Sequence, residues 1–332
     1  MTPLERLERH RPQLEASLRL ALAEGPADLL RLSRYVMGWE DESGRPSEGG
    51  GKRLRPLLCL EVALLSGGDL EGAMPGAIAL ELVHNFSLVH DDIQDRDVTR
   101  HGRPTAWTVI GEAQAINLGN FLYTRGLQQL QPATTAGRQL ATAMLFDAVE
   151  RMVAGQWADI AFERADTVSE DDYLQMVEGK TGALLGAAAG IGAALGGAPP
   201  EVVEGLRRWG VAIGLAFQVR DDYLGTWGNP GATGKSASSD LARRKKTLPV
   251  VYALGTSAGL PLLRILRRPE TTDADITEAL RLLEGCGARE HTEAVAQRLA
   301  AEAGALLAAL AIPAEARAVL GEIGSFLAQR DR

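Results

Sequence analysis

Aromatic residues make up only 5% of this 332-residue chain. Runs of β-branched residues are scarce, while Ala, Leu and Gly abound, which is the profile of an all-α protein. Cysteine is nearly absent. Cys59 and Cys286 stand far apart and outside any metal-ligand spacing. That excludes a disulfide framework or a zinc site and leaves two buried or incidental thiols of a reducing compartment, the cytoplasm. Positive charge is in deficit: a net charge of −8 excludes nucleic acid as a partner despite local basic patches. No Pro/Ser-rich linker, charge block, low-complexity stretch or repeat of 20–50 residues divides the chain, so residues 1–332 are expected to form one domain. A signal-peptide core is missing too, because Glu5, Arg6, Glu8, Arg9 and Arg11 interrupt the first segment. The one uncharged stretch, Thr181–Pro200, is mostly Gly and Ala with only four Leu or Ile, and Pro199-Pro200 ends it. It would insert poorly into a bilayer, so no transmembrane segment is expected, and a close-packed interior helix accounts for it better. Gly190-Ile191-Gly192 follows no strand and is not a dinucleotide loop.

What the chain does have is two aspartate pairs: Asp91-Asp92-Ile93-Gln94-Asp95 and, about 130 residues later, Asp221-Asp222-Tyr223-Leu224-Gly225. Val83, Phe86, Leu88, Val89 and Ile93 flank the first pair, and Phe217, Val219, Tyr223 and Leu224 the second. A carboxylate in such surroundings is costly unless paired or metal-bound. On a helix, Asp91 and Asp95 lie one turn apart on one face, with His84 and Ser87 on nearly the same stripe. Gln218, Asp221, Asp222 and Gly225 repeat the pattern. Magnesium suits these donors, since it takes carboxylate oxygens and completes its octahedron with waters and phosphates.

Counter-charge is also present. In Gly49-Gly50-Gly51-Lys52-Arg53-Leu54-Arg55-Pro56, glycines let backbone amides approach an anion, while Lys52 and Arg55 offer a point charge and a forked donor. The spacing is not that of a Walker loop. Further basic groups stand at Arg100, Arg103, Lys180 and Lys235 and in Arg243-Arg244-Lys245-Lys246.

Taken together, GGKRLRP at 50–56, VHNFSLVHDDIQD at 83–95, RHGRPT at 100–105, KTGALL at 180–185, FQVRDDYLG at 217–225 and GKSASSDLARRKKTLP at 234–249 resemble the trans-prenyltransferases. These are the isoprenyl diphosphate synthases that join an allylic diphosphate to isopentenyl diphosphate. The resemblance implies an isoprenoid-synthase fold: a single-domain helical bundle around a deep central cavity, expected to form a homodimer. It implies that Asp91, Asp92 and Asp95, with Asp221 and Asp222, hold magnesium, three ions per site, against the allylic diphosphate. Lys52, Arg55 and His84 match the isopentenyl diphosphate anchors. Arg100, Lys180, Lys235 and Lys245 match groups that grip the allylic diphosphate, and Thr181 and Gln218 match residues beside the reacting carbons. No general base is demanded, because released pyrophosphate can take the proton.

The chain departs from the family at His101, where a second arginine would help hold isopentenyl diphosphate, and at Asn120 and Asn229, where relatives often carry Asp. Phe86, five residues before Asp91, places an aromatic at the expected floor of the product tunnel, so C20 product is expected, with C15 next. Two other readings use the same aspartates: a terpene synthase that ionises a finished prenyl diphosphate, and a non-catalytic subunit. Only the synthase needs Lys52, Arg55 and His84 for a second diphosphate.

Helices are predicted over about 3–24, 26–40, 53–66, 73–95, 111–130, 135–164, 169–178, 180–196, 200–226, 246–255, 273–284 with Asp273 as its cap, and 288–310. The loop containing Asn229-Pro230-Gly231 and Gly234 is expected to be a lid.

Overall fold

The computed structural model describes residues 1–47, 49–100, 102–131, 135–228, 241, 243, 245–268 and 270–329. Among them the protein is all-α apart from one short hairpin. The order is α1 (Pro3–Glu8), α2 (Arg11–Ala21), α3 (Ala27–Val36), α4 (Leu54–Leu65), α5 (Leu70–Gln94), β1 (Thr99–Arg100), β2 (Arg103–Pro104), α6 (Ala106–Ile110), α7 (Glu112–Gln129), α8 (Ala136–Arg164) and α9 (Glu170–Val177). A π-helical turn over Glu178–Gly182 follows, then α10 (Ala183–Leu195), α11 (Pro200–Trp227), α12 (Leu248–Leu254), α13 (Gly259–Leu266), α14 (Asp273–Gly285), α15 (Ala288–Ala308) and α16 (Ala314–Gln329). The predicted lid, with Asn229 and Lys235, and also His101, lie outside the described residues.

Several boundaries differ from expectation for identifiable reasons. The first helix is two, α1 and α2, because Pro12 in the first turn of α2 cannot continue a helix already running. His10 occupies the break and turns its ring inward to Glu61 Oε2 at 2.8 Å. Helix α5 starts three residues early, where Asp69 accepts the Gly72 N–H at 2.7 Å and caps it. Thr272, not Asp273, caps α14, through a capping box with Asp275. Helices α13 and α16 were not expected.

The chain divides into two compact units, Met1–Val149 with Ala187–Arg207, and Glu150–Gly186 with Arg208–Arg332. The division falls inside α8, α10 and α11. In the first unit, α4 and α5 bury Leu57, Leu58, Leu60, Leu80, Leu82 and Val83, and α5 packs along α7 through Leu118 and Leu122. The uncharged stretch is buried over residues 181–196 apart from a part-exposed Leu195, and surfaces at 197–200. At Gly192 of α10 a Cβ would press to 3.1 Å from the Cys59 carbonyl carbon of α4, so glycine is what lets these helices meet closely. In the second unit one core joins Tyr173 and Met176 of α9, Ala216 and Val219 of α11, Leu248 and Val251 of α12, and Val295 and Leu299 of α15.

Candidate active site

In the first unit, α5 carries most of the site residues. Asp91 and Asp95 are half-buried and Asp92 is buried. All three crowd the C-terminal end of α5, the negative end of its dipole, where carboxylates are unfavourable without a cation. The helix stops abruptly after them. Arg96 takes the left-handed conformation, with φ 56°, and Asp97 N donates back to the Asp92 carbonyl at 2.9 Å. The hairpin β1–β2 then returns Arg100, which donates through Nε at 2.8 Å and Nη2 at 2.7 Å to Asp92 Oδ1. Burial pushes the Asp92 carboxyl up to about 6, with Asp97 and Asp95 adding to the effect and Arg100 opposing it.

Two turns before Asp91 on α5, His84 Nε2 lies 3.3 Å from Arg55 Nη1 on the first turn of α4. Lys52, just ahead of that helix, is exposed. Arg55 and His84 therefore meet between the start of α4 and the middle of α5, with Lys52 three residues ahead of Arg55 in the chain. Phe86 is half-buried; its ring meets His90 edge-on at 4.8 Å and Tyr123 of α7 at 5.1 Å.

In the second unit, the π-helical turn carries Lys180 and Thr181. Turns of this kind cluster at functional sites. Gly155 of α8 lies against it, and a Cβ there would stand 2.9 Å from the Gly179 carbonyl carbon. Lys180 Nζ pairs with Asp159, one turn along α8 from Gly155. Thr181 Oγ1 donates to Gln218 Oε1 at 3.0 Å, and Gln218 Nε2 donates to Asp222 Oδ1 at 3.0 Å. Asp222 Oδ2 accepts from the Tyr173 hydroxyl and, at 2.9 Å, from Leu248 N at the start of α12. The buried Asp222 thus ties α9, α11 and α12 together, while Asp221 beside it is half-buried. Lys245 is half-buried, whereas its neighbour Lys246 is buried, which lowers its pKa against the pull of Asp166 and Glu163.

Some residues with a part in this geometry were missed from the sequence. Asp159 had a signal, since Gly155 and Asp159 share one helical face, but Tyr173 had none apart from tertiary context. Among the described residues no three His, Cys, Asp or Glu side chains form a ready-made metal cage. Magnesium does not ask for one. It is held by one or two carboxylates, waters and substrate phosphates, so an oxygen-only set at i, i+4 spacing fits it.

A model of the polyprenyl synthetase family matches residues 44–283. Over 303 residues the chain is 40% identical to the (2E,6E)-farnesyl diphosphate synthase of Mycobacterium tuberculosis (strain ATCC 25618 / H37Rv), covering 89% of this chain and 84% of that one. Over 306 residues it is 39% identical to the geranylgeranyl diphosphate synthase of the same strain, covering 89% and 85%. Among solved structures it is similar to the polyprenyl synthetase from Streptomyces coelicolor A3(2), with TM-score 0.92 at 39% identity over 96% and 98% of the two chains. It is also similar to the polyprenyl synthase from Caulobacter crescentus CB15 complexed with calcium and isoprenyl diphosphate, with TM-score 0.85 at 29% identity over 99% and 98%. The fold, the ordered motifs and relatives matched along nearly the whole length agree: this chain has the all-α isoprenoid synthase fold and belongs to the polyprenyl synthetase family.

Proposed function

We propose that the chain is a magnesium-dependent (E)-prenyl diphosphate synthase, cytoplasmic, that condenses an allylic diphosphate with isopentenyl diphosphate and releases pyrophosphate. Residues 1–332 act as one domain, since the division between the units falls inside three helices. The observation that supports the reading is the meeting of Arg55 and His84 at 3.3 Å, with Lys52 three residues ahead of Arg55 in the chain, a polar group on elements other than the turns that carry the aspartates. A cyclase handling a single diphosphate has no use for it.

Bound divalent cations, held by Asp91, Asp92, Asp95, Asp221 and Asp222, would supply the charge that stabilises the departing pyrophosphate. The chain's own residues do the rest. Arg100, Lys180, Lys235 and Lys245 grip the allylic diphosphate, and the Thr181 and Gln218 dipoles face the allylic cation as it forms. Lys52, Arg55, His84 and His101 hold isopentenyl diphosphate so that its double bond attacks, and apolar walls keep water from the cation. Phe86 limits the chain at C20, with C15 the alternative. Relatives of nearly equal identity make one product or the other.

The test is incubation with magnesium and geranyl or farnesyl diphosphate, with and without isopentenyl diphosphate. Elongated product that requires isopentenyl diphosphate is expected; cyclised or hydrolysed product without it would favour a terpene synthase. We also propose a homodimer, supported by Phe146, Val153 and Trp157, which stand 47%, 54% and 78% exposed along α8 at helical spacing. Sedimentation should give a dimer that Trp157→Glu weakens, and a monomeric wild type would overturn this.

A further inference from the structure

Between Lys52 and Arg55, Arg53 is turned into the interior. Its side chain is only 2% exposed, and every nitrogen has a partner. Nε donates to Glu15 Oε1 at 2.9 Å, Nη1 to Glu81 Oε1 at 2.7 Å, and Nη2 to the Met37 carbonyl at 2.7 Å. The backbone there is left-handed, with φ 49° and ψ 29°, a conformation that costs a non-glycine residue energy and persists only where its surroundings over-determine it. The fork of Arg53 supplies that determination by joining α2 through Glu15, the end of α3 through Met37, and α5 through Glu81.

The two residues before it are clamped independently. Arg11 of α2 donates to the Gly51 carbonyl at 3.0 Å and to the Lys52 carbonyl at 2.8 Å. Gly38, at φ 78°, lets the end of α3 close on the same loop, where a Cβ would stand 2.7 Å from Gly50 N. On the far side, Glu81 is steadied by Asn85 Nδ2 at 2.8 Å, and His84 lies between these two positions on α5. The Arg53–Glu81 bridge therefore fixes the start of α4, with Arg55, against the stretch of α5 that holds His84.

A buried ion pair is poor evidence of added stability, because apolar residues of similar volume often do as well. What it secures is one arrangement. We propose that Arg53, with Glu81, Glu15 and Arg11, is a positioning set that holds Lys52, Arg55 and His84 in the geometry that binds isopentenyl diphosphate; this rests on those three residues being its anchors. The N-terminal helix α2 is then a working part of that subsite.

The test measures KM for isopentenyl diphosphate, KM for the allylic diphosphate, kcat and melting temperature. Three variants are compared: Arg53→Met with Glu81→Met, Arg11→Met, and Lys52→Ala. The double variant removes both buried charges of the bridge, and Glu15, which is part-exposed and keeps the Trp39 Nε1–H at 2.7 Å, is not left unpaired, so the variant should fold. We expect its KM for isopentenyl diphosphate to rise about tenfold, and that of Arg11→Met about threefold, with KM for the allylic diphosphate unchanged. A purely structural role would lower the melting temperature and leave the two KM values in proportion, overturning the inference. If Lys52→Ala raises KM for isopentenyl diphosphate while the double variant does not, the positioning role alone falls. If Lys52→Ala also leaves it unchanged, the assignment of the anchors falls with it.

Discussion

Phe86→Ala tests the length gate and can be worked through from the packing. The ring contributes two aromatic contacts, to His90 at 4.8 Å and to Tyr123 at 5.1 Å, and is half-buried. Removing a fully buried phenylalanine costs roughly 3–5 kcal/mol. Half-burial brings this to about 2 kcal/mol, of which the two aromatic pairs account for a large part. Unfolding entropy near 2.1 cal/mol/K per residue gives about 0.7 kcal/mol/K for a chain of 332 residues, so the melting temperature should fall by only about 3 °C. The variant therefore remains folded under assay conditions, and its products are interpretable. With labelled isopentenyl diphosphate and chromatography of the dephosphorylated products, the distribution should move to longer chains by one or more C5 units. A folded, active Phe86→Ala enzyme with the wild-type distribution would make Phe86 a packing residue between α5 and α7 and remove it as the gate.

Three other predictions separate the members of each aspartate pair. Asp91→Ala and Asp221→Ala should cut turnover by orders of magnitude with helicity and melting temperature nearly unchanged, since bound metal acts chiefly in the transition state. Asp222→Ala should also melt lower, by about 3 kcal/mol of stability, because the Tyr173 hydroxyl, Leu248 N–H and Gln218 amide lose a buried acceptor. An Asp222→Ala protein with wild-type melting would refute that. For Asp92, the folded-state pKa of about 6 lies above the usual 3.8, so its contribution favours the fold below pH 4 and is lost as pH rises through 6. In metal-free buffer Asp92→Asn should therefore melt higher than wild type at pH 7.5, by up to about 3 kcal/mol, with the gap closing toward pH 4. A lower melting point for the variant at pH 7.5 would show that its pairing with Arg100 outweighs burial.

Most of the helices were legible because apolar residues recur at the helical period, though the short α6 and the later α13 and α16 were not. The aspartate motifs were legible because carboxylates in apolar segments demand an explanation. The break between α1 and α2 was missed: charged residues continuing across it resemble a single amphipathic helix, and Pro12 falls inside the run read as that helix. The π-helical turn at Glu178–Gly182 was not, since no residue pattern specifies it. Its form depends on the approach of α8 at Gly155, a contact between residues more than twenty positions apart. In Lys52-Arg53-Leu54-Arg55 the letters alone show three cations and no reason why the middle one should face inward. Glu15 and Glu81 decide that, and each reads in sequence as an ordinary acidic residue on a helix.

The doubled aspartates follow from helix geometry. Adjacent residues on a helix point about 100° apart, so two neighbouring acids cannot both face the same ligand directly. The structure gives the second acid of each pair protein partners: Arg100 for Asp92; Tyr173, Gln218 and Leu248 N–H for Asp222. Each of these acids is buried, and each fixes the rotation of its helix about its axis. The first acid is thereby set at a defined angle around α5 or α11, half-buried and one turn or less from the remaining polar groups of its stripe. A helix free to roll by even a fraction of that angle would carry Asp91 away from Asp95's neighbours, or Asp221 away from the Gln218 and Thr181 pair. The second carboxylate thus serves the first even where a cation never touches it, and the loss of Asp222 should lower both melting temperature and turnover.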